Sequence, residues 1–184
     1  MKRRRFSSGF TLIELIVSVA IIGMLATLFI PQLGTIQRRA ESVKCANNLR
    51  GIGAAVVMYA GEHNNRFPVI DGSPSYSYYG ADDEAGSLLG VLGPYGVTPA
   101  MLKCETDVRG ANYYAKEGTS YMWSPVVDDE IFTAPKMASR RSDEMRPRPA
   151  SRIRILSDFL PIHGTHNGRP RSNRLYADGH VRSF

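Results

Sequence analysis

The sequence predicts an α+β fold: a long N-terminal helix, transmembrane in its first half, with a small antiparallel sheet packed on its second half. Two observations predict the helix. Residues 10–30 are almost entirely apolar, and apolar residues then recur every three or four positions to about residue 60. The sheet is predicted by short alternating runs and turn-forming residues near the C-terminus. The 184 residues suit one compact domain with an appendage.

The N-terminus joins a short basic leader to an apolar span. Residues 1–9 (MKRRRFSSG) hold four bases and no acid, and residues 10–30 hold one ionisable side chain, Glu14. A helix rises about 1.5 Å per residue, so the span covers about 31 Å, enough to cross a bilayer core. The basic flank predicts a cytoplasmic leader and an extracytoplasmic head.

Two ordinary explanations of this segment are a signal peptide and a plain membrane anchor. A signal peptide would have an apolar region of about 7–15 residues and an A-x-A-like cleavage site, which residues 31–35 do not offer. A plain anchor explains the length and the basic flank but not Glu14. A carboxylate inside a bilayer costs roughly 2.5–3.5 kcal/mol, so it needs a partner or a function.

Residues 9–15 (GFTLIEL) resemble the prepilin peptidase recognition sequence of type IV pilins and type II secretion pseudopilins. The resemblance implies that a membrane aspartyl peptidase cuts after Gly9 and methylates the new amine of Phe10. It also implies that Glu14 pairs with the N-terminal amine of a neighbouring subunit and sets the register of stacked helices. Pro31 matches a position at which helices of this family are often bent, which implies a kink.

Beyond the apolar span, the spacing of apolar residues stays helical. The pattern predicts one long, kinked helix from about residue 10 to about residue 60, whose second half carries an apolar stripe for the head to cover. The stripe consists of Leu33, Ile36, Ala40, Val43, Ala46, Leu49, Ile52, Val56 and Tyr59.

Two further segments resemble pseudopilin-like proteins that end in an H-x9-D-G signature. Residues 45–53 (CANNLRGIG) and 65–68 (NRFP) match the end of their helix, where a residue before proline avoids the α region. Near the C-terminus, Asp178-Gly179-His180 matches the signature, with His166 as the candidate first histidine. Eleven residues separate His166 from Asp178, so the equivalence of His166 stays open.

The head is predicted to contain short elements only. Residues 88–92 favour a short helix, and residues 119–123 and 152–156 favour strands. The Arg- and Pro-rich residues 139–149 indicate a solvated linker or exposed loop.

A hairpin is predicted at the C-terminus. An Asp-Gly pair between strand-like runs favours a two-residue type I′ turn at Asp178-Gly179. In that register Tyr176 faces Val181.

Metal binding is considered and not favoured. Irregular spacing and a single carboxylate favour ordinary turn, strand and loop residues over a metal site. The four side chains that could surround a metal are His163, His166, Asp178 and His180. The acidic runs 82–84 and 128–130 could bind calcium, as some pseudopilins do in head loops, but lack the spaced ligands of an EF-hand. We expect no cofactor, with calcium as the open alternative.

Catalysis and nucleic-acid binding are also not expected. The sequence contains no nucleophile elbow, HExxH motif or Gly-rich phosphate loop. The net charge of +6 comes from 23 basic and 17 acidic residues, and four of the bases lie within residues 2–5. The Arg-rich C-terminal part is interleaved with proline and acids, which favours a solvated face over a nucleic-acid surface.

Cys45 and Cys104 are the two cysteines of the chain. An extracytoplasmic head would permit their oxidation, and a bridge closing about 60 residues would add about 4 kcal/mol by the chain-entropy argument. We favour the disulfide, with two buried free thiols as the alternative.

These features predict a pseudopilin-type structural subunit, not an enzyme, of a type II secretion pseudopilus or a type IV pilus-like filament. The expected organisation is a leader (1–9), a transmembrane helix (10–30), an outer helix (31–62) and a globular head (63–184). The resemblance implies as partners a prepilin peptidase, other pilin-like subunits, the assembly machinery and the inner membrane, which the chain crosses once. The alternative is a membrane-anchored extracytoplasmic binding module with no filament role.

Overall fold

The computed structural model describes residues 11–70, 86–139, 142–163, 165–166 and 169–183. Only the backbone is described for residues 28–33, 35, 137–139, 142–145, 166, 169 and 170. The chain divides into two compact units, residues 1–37 and 38–184.

The predicted long helix is confirmed. Helix α1 runs over Leu12–Glu62, 51 residues, and includes Pro31 without ending there. The kink expected at Pro31 stays a prediction. Among the described residues, no helix has the combination of length and apolar character that crossing a membrane requires. The predicted transmembrane segment 10–30 begins and ends at residues whose side chains lie outside the described ones.

In the second unit, α1 presents one buried face to the head. Its fully buried residues follow helical spacing and include Cys45, Leu49, Ile52 and Val56. This confirms the predicted stripe between residues 46 and 56. Val43, also placed on the stripe, is 58% exposed, so the covered face starts later than predicted.

Three short helices follow α1: α2 (Leu88–Leu92), α3 (Glu105–Arg109) and α4 (Tyr113–Glu117). The first of these confirms the helix predicted for residues 88–92. Side chains cap two of them: Ser87 Oγ accepts from the Gly90 amide at 2.9 Å, and Asn112 Oδ1 accepts from the Ala115 amide at 3.3 Å. Such caps satisfy helix-terminal amides that otherwise lack partners. Single 3-10 turns lie at Gly93–Tyr95, Pro125–Val127 and Ala150–Arg152.

In the described part of the chain, eight strands form one four-stranded sheet and two separate pairs. The strands are β1 (Tyr121–Trp123), β2 (Lys136–Ser139), β3 (Ser142–Pro147), β4 (Arg154–Asp158), β5 (Thr165–His166), β6 (Arg169–Pro170), β7 (Asn173–Tyr176) and β8 (Val181–Ser183). The main sheet has the order β1-β4-β7-β8 and is antiparallel throughout, while β2 pairs with β3 and β5 with β6. The predicted α+β class is therefore confirmed, as are the strands expected near residues 119–123 and 152–156.

The main sheet and α1 share one core. Leu156 pairs with Leu175, which pairs with Val181 on the edge strand. Leu156 and Leu175 belong to the same buried cluster as Leu49 and Ile52 of α1. The Tyr121 hydroxyl also donates to the Cys45 carbonyl at 3.3 Å, which links the first strand to the helix.

The prediction of a loop at residues 139–149 is wrong. Strands β2 and β3 form an antiparallel hairpin there, with Lys136 opposite Pro147. No described core residue comes from this hairpin. The two strands, KMAS and SDEMRP, lack the alternating apolar pattern by which strands are recognised in a sequence.

The terminal hairpin exists, but its predicted register is wrong by one residue. Leu175, not Tyr176, pairs with Val181, and the Tyr176 amide donates to the His180 carbonyl at 3.0 Å. The turn therefore has three residues, with Gly179 in the left-handed region at φ 84° and its amide donating to the Tyr176 carbonyl at 2.8 Å. This is the usual three-residue hairpin loop, a turn closed by one left-handed glycine, so Asp178 needs no positive φ.

The contact between α1 and the sheet requires a glycine at position 53. A Cβ atom added to Gly53 would lie 3.0 Å from Leu175 Cδ1, whereas one added to Gly61 of the same helix would meet nothing within 4 Å. We expect Gly53→Val to lower the free energy of unfolding by about 1–3 kcal/mol, because an overpacked core must shift. Urea unfolding followed by the fluorescence of Trp123, the single tryptophan, measures the change.

Gly61→Val is the matched control, since both variants gain the same helix propensity. It should leave the unfolding midpoint unchanged or raise it slightly. Equal stability of the two variants would contradict a close approach at position 53.

Candidate functional site

Glu14 lies in the first turn of α1 and forms a capping box with Thr11. The Thr11 amide and hydroxyl donate to Glu14 Oε2 at 2.9 and 2.7 Å, and the Glu14 amide lies 3.3 Å from Thr11 Oγ1. This reciprocal arrangement satisfies amides at the helix start and places a carboxylate at the positive end of the helix dipole. The Thr-x-x-Glu spacing in the sequence is itself the signal of this capping box.

The other residues of the predicted processing site cannot be placed. Gly9 and Phe10 lie outside the described residues, so cleavage between them and methylation of Phe10 stay predictions. Pro31 lies within α1, and its side chain is not described.

In the head, Cys45 of α1 and Cys104 form a disulfide with Cα atoms 5.3 Å apart. Both cysteines are buried. The bridge attaches the segment before α3 to the buried face of the long helix, which is the attachment that the sequence suggested. No other cysteine remains in the chain.

Asp107 organises the backbone on one side of the disulfide. Its carboxylate accepts bonds from the amides of Tyr113 (3.0 Å) and Tyr114 (2.9 Å) and from the Ser120 hydroxyl (2.7 Å). Ser120 Oγ in turn accepts from the Cys104 amide at 3.0 Å. These three hydrogen bonds replace the hydration that the Asp107 carboxylate loses on burial. Through Ser120, the carboxylate also fixes the position of Cys104.

A buried acid–base pair lies on the other side of the disulfide. His163 Nε2 is 3.2 Å from Asp158 Oδ2, and their side chains are 1% and 0% exposed. The Asn173 amide also donates to Asp158 Oδ2, at 2.5 Å. Burial raises the pKa of the Asp158 carboxyl above its usual range, and the bonds from His163 and Asn173 oppose that rise.

His163 lies close to the disulfide as well as to Asp158. Its Nε2 is 3.8 Å from Cys104 Sγ. Among the described residues, neither His163 Nδ1 nor Asp158 Oδ1 has a hydrogen-bond partner, although both atoms are buried. A cavity of about 370 Å³ adjoins His163. It is lined by Arg38, Glu41, Thr106, Arg109, Gly110, Ile162 and His163.

The C-terminal signature residues form a local surface arrangement. His180 Nδ1 makes a short contact with Asp178 Oδ1, and the His180 ring stacks on Tyr176 with ring centroids 4.4 Å apart. Gly179 closes the turn, as described above. His166 lies in β5, and its side chain is not described. The structure thus gives Asp178 and Gly179 the roles of turn residues.

The two acidic runs considered for calcium binding differ in whether the structure describes them. Residues 82–84 lie outside the described residues. In the second run, Asp128 Oδ1 accepts a hydrogen bond from the Trp123 indole at 2.7 Å. Asp129 Oδ2 lies 3.2 Å from Arg66 Nη1. Glu130 Oε2 accepts a hydrogen bond from the backbone amide of Lys136 at 3.0 Å. Each of these three carboxylates therefore has a partner within the protein.

Within the described part of the chain, one group of potential metal ligands lies close together. It differs from the four side chains that the sequence analysis considered for a metal site. It consists of Cys45, Cys104 and His163, whose ligand atoms all lie within 4.8 Å of one another. Only His163 was among the candidates from the sequence. The local sequence around His163 does not indicate that its side chain lies near Cys104, 59 residues earlier in the chain, or near Cys45.

Comparison with known proteins bears on the N-terminus. Residues 4–30 match the prokaryotic N-terminal methylation motif. The chain carries this motif. It is also 37% identical over 71 residues to type II secretion system core protein G of Aeromonas hydrophila, covering 39% of this chain and 48% of that protein.

Other relatives have the same description. Core protein G of Pseudomonas aeruginosa is 42% identical over 57 residues, which cover 31% of this chain and 40% of the relative. That of Vibrio cholerae is 34% identical over 71 residues, which cover 39% and 48%. The chain spans less than half the length of these relatives. No solved structure is significantly similar to it.

The resemblance to pseudopilins is therefore confirmed, and it rests on the methylation motif and these partial matches. The resemblance to the H-x9-D-G signature is not confirmed.

The bonds of Asp107 make a specific prediction about stability. Asp107→Ala leaves the amides of Tyr113 and Tyr114 and the Ser120 hydroxyl without their acceptor, so we expect the free energy of unfolding to fall by about 3 kcal/mol. Trp123 fluorescence in a urea titration measures this loss.

Asp129→Asn is the control, because it removes the charge of an exposed ion pair with Arg66 while asparagine tolerates the left-handed backbone of residue 129, at φ 56°. Its effect should stay below about 1 kcal/mol. A loss for Asp107→Ala no larger than the loss for Asp129→Asn would show that the buried carboxylate does not organise the loop.

Proposed function

We propose that this protein is a pseudopilin-type structural subunit that a prepilin peptidase processes and that assembles into a type II secretion pseudopilus or a type IV pilus-like filament. One observation carries the proposal: the N-terminal methylation motif at residues 4–30 coincides with an acid, Glu14, at the start of a 51-residue helix. The partial similarity to core protein G of type II secretion systems supports the same function.

The exposed apolar surface of the first unit supports assembly. Its side chains have no cover within their own unit and would be stable only in lipid or against other apolar helices. Lipid would cover them before assembly, and the helices of neighbouring subunits would cover them in a filament. The exposed large apolar residues between positions 12 and 25 are Leu12, Ile13, Leu15, Ile16, Val17, Val19, Ile21, Ile22, Met24 and Leu25.

Glu14 would serve both the subunit and the filament. Both bonds from Thr11 go to Oε2. The second oxygen, Oε1, is then the acceptor for the methylated Phe10 amine of a neighbouring subunit. Pairing the two charges lowers the cost of placing each in an apolar environment, and a single acid in each apolar span of residues 10–30 specifies one axial register.

The localisation and partners follow from this function and are part of the proposal. The leader lies in the cytoplasm, the apolar half of α1 in the inner membrane, and the head outside the cytoplasm, where its disulfide is stable. The peptidase, other pilin-like subunits and the secretion or pilus machinery are the partners. A membrane-anchored binding module would leave the methylation motif without a function.

Glu14→Ala tests the proposal. The variant should still insert and be cut after Gly9, because the cleavage residues are intact, yet subunit–subunit crosslinks in the membrane and sheared filaments should fall at least about tenfold without the ion pair. Intact-protein mass spectrometry should find both proteins beginning at Phe10 with one added methyl group.

Glu62→Ala is the control, since it removes a carboxylate from the other end of the same helix. Crosslinking should then equal that of the unaltered protein. The proposal fails if the native chain keeps residues 1–9, or if Glu14→Ala assembles as well as Glu62→Ala.

A further inference from the structure

We propose that the head with its disulfide reduced is a zinc protein, in which Cys45, Cys104, His163 and Asp158 form one tetrahedral Zn²⁺ site. The two sulfurs and a ring nitrogen of His163 all lie within 4.8 Å of one another. Asp158 adds an oxygen 3.2 Å from His163 Nε2. Cys45 lies in α1, and Cys104 directly precedes α3. Asp158 ends β4, and His163 lies in the loop that follows β4.

The distances already resemble those of a ligand shell. Zn–S bonds of about 2.3 Å and Zn–N or Zn–O bonds of about 2.0–2.1 Å place tetrahedral ligand atoms roughly 3.3–3.8 Å apart. Cys104 Sγ lies 3.8 Å from His163 Nε2, which lies 3.2 Å from Asp158 Oδ2. Two edges of the tetrahedron are therefore present within a few tenths of an ångström. Breaking the covalent bond between the sulfurs lets them separate to the distance of a third edge.

The surroundings of these residues also suit a structural metal site. All four side chains are buried, so the reduced protein would hold two thiols beside a carboxylate in its interior. A divalent cation offsets the cost of burying two thiolates and one carboxylate. Neighbouring bonds hold the ligands in place: the Asn173 amide donates to Asp158, and the Cys104 amide donates to Ser120.

The second oxygen of Asp158 is consistent with this assignment. Oδ1 is buried and has no hydrogen-bond partner among the described residues. A buried carboxylate oxygen without a donor is costly, and a metal ion bound to Oδ2 of the same carboxylate would lower that cost. The cavity beside His163, with the half-exposed Arg109 side chain in its lining, gives a metal ion access to the site.

Zinc and the disulfide exclude each other. A dithiol transfers two electrons and two protons to the Cys45–Cys104 bond, which breaks to two thiols while the dithiol becomes a disulfide. Zn²⁺ then displaces one proton from each thiol and binds the two thiolates with neutral His163 and ionised Asp158. In the reverse direction, a disulfide accepts two electrons from the thiolates and two protons from solvent, the protein bond re-forms, and Zn²⁺ is released.

Cobalt binding tests the site, because Co²⁺ replaces zinc and is coloured. The full chain, purified anaerobically in detergent with a phosphine reductant, should bind one Co²⁺ with a thiolate charge-transfer band and the intense visible bands of tetrahedral coordination. One equivalent of Zn²⁺ should abolish both. The oxidised protein should give neither signal.

His163→Asn should weaken Co²⁺ binding at least about 100-fold, since a direct ligand matters more than the outer-shell partners whose loss costs 10–100-fold. His180→Asn is the matched control, because His180 lies outside the cluster, and it should bind like the unaltered protein. The oxidised forms of both variants should unfold cooperatively, which shows that neither substitution disrupts the fold.

Folding provides a second measurement if the reduced chain does not stay folded without metal. Zn²⁺ should then restore the Trp123 fluorescence of the native state in the unaltered protein and in His180→Asn, but not in His163→Asn. The proposal is wrong if the reduced, unaltered protein neither binds Co²⁺ tetrahedrally nor refolds with Zn²⁺. It is also wrong if His163→Asn binds Co²⁺ as tightly as His180→Asn.

Discussion

The head depends on one face of α1. A four-stranded sheet with short strands cannot bury its apolar side without a second layer, and the stripe formed by Leu49, Ile52 and Val56 supplies that layer. The glycine at position 53 lets Leu175 of the sheet approach the helix closely. The Cys45–Cys104 bridge joins the same face to the segment before α3. The buried cluster of the second unit includes residues from both the helix and the sheet at this contact.

Buried charge is concentrated where that contact ends. Asp107 and Asp158 lie inside the head with opposite compensation: three hydrogen bonds surround Asp107, whereas Asp158 has a histidine, one amide and an oxygen without a donor. Asp107 fixes a loop, and its three hydrogen bonds offset the free-energy cost of burying its charge. Asp158 is only partly compensated, which is why its pKa rises with burial and why a cation is a physically reasonable partner.

The same helix serves two environments, and its composition changes accordingly. Near its start, apolar side chains face outward and one acid closes a capping box, an arrangement that suits association with lipid or with other helices. From Cys45 onward, the apolar side chains instead occupy one face, as expected for a helix that supports a domain. One continuous helix therefore has an exposed apolar segment near its start and one buried face in the head.

The sequence by itself determined the elements that depend on local pattern: the long helix, the methylation motif around Glu14, helix α2, and strands β1 and β4. Periodicity and composition specify these within a short window. Only the tertiary structure decided the β2–β3 hairpin, the three-residue terminal turn and the cluster of Asp158, His163 and Cys104. The strands of the hairpin lack an alternating apolar pattern, the turn depends on strand register, and Cys104 and His163 are 59 residues apart. Such contacts follow from how the chain folds back on α1, which no local signal encodes.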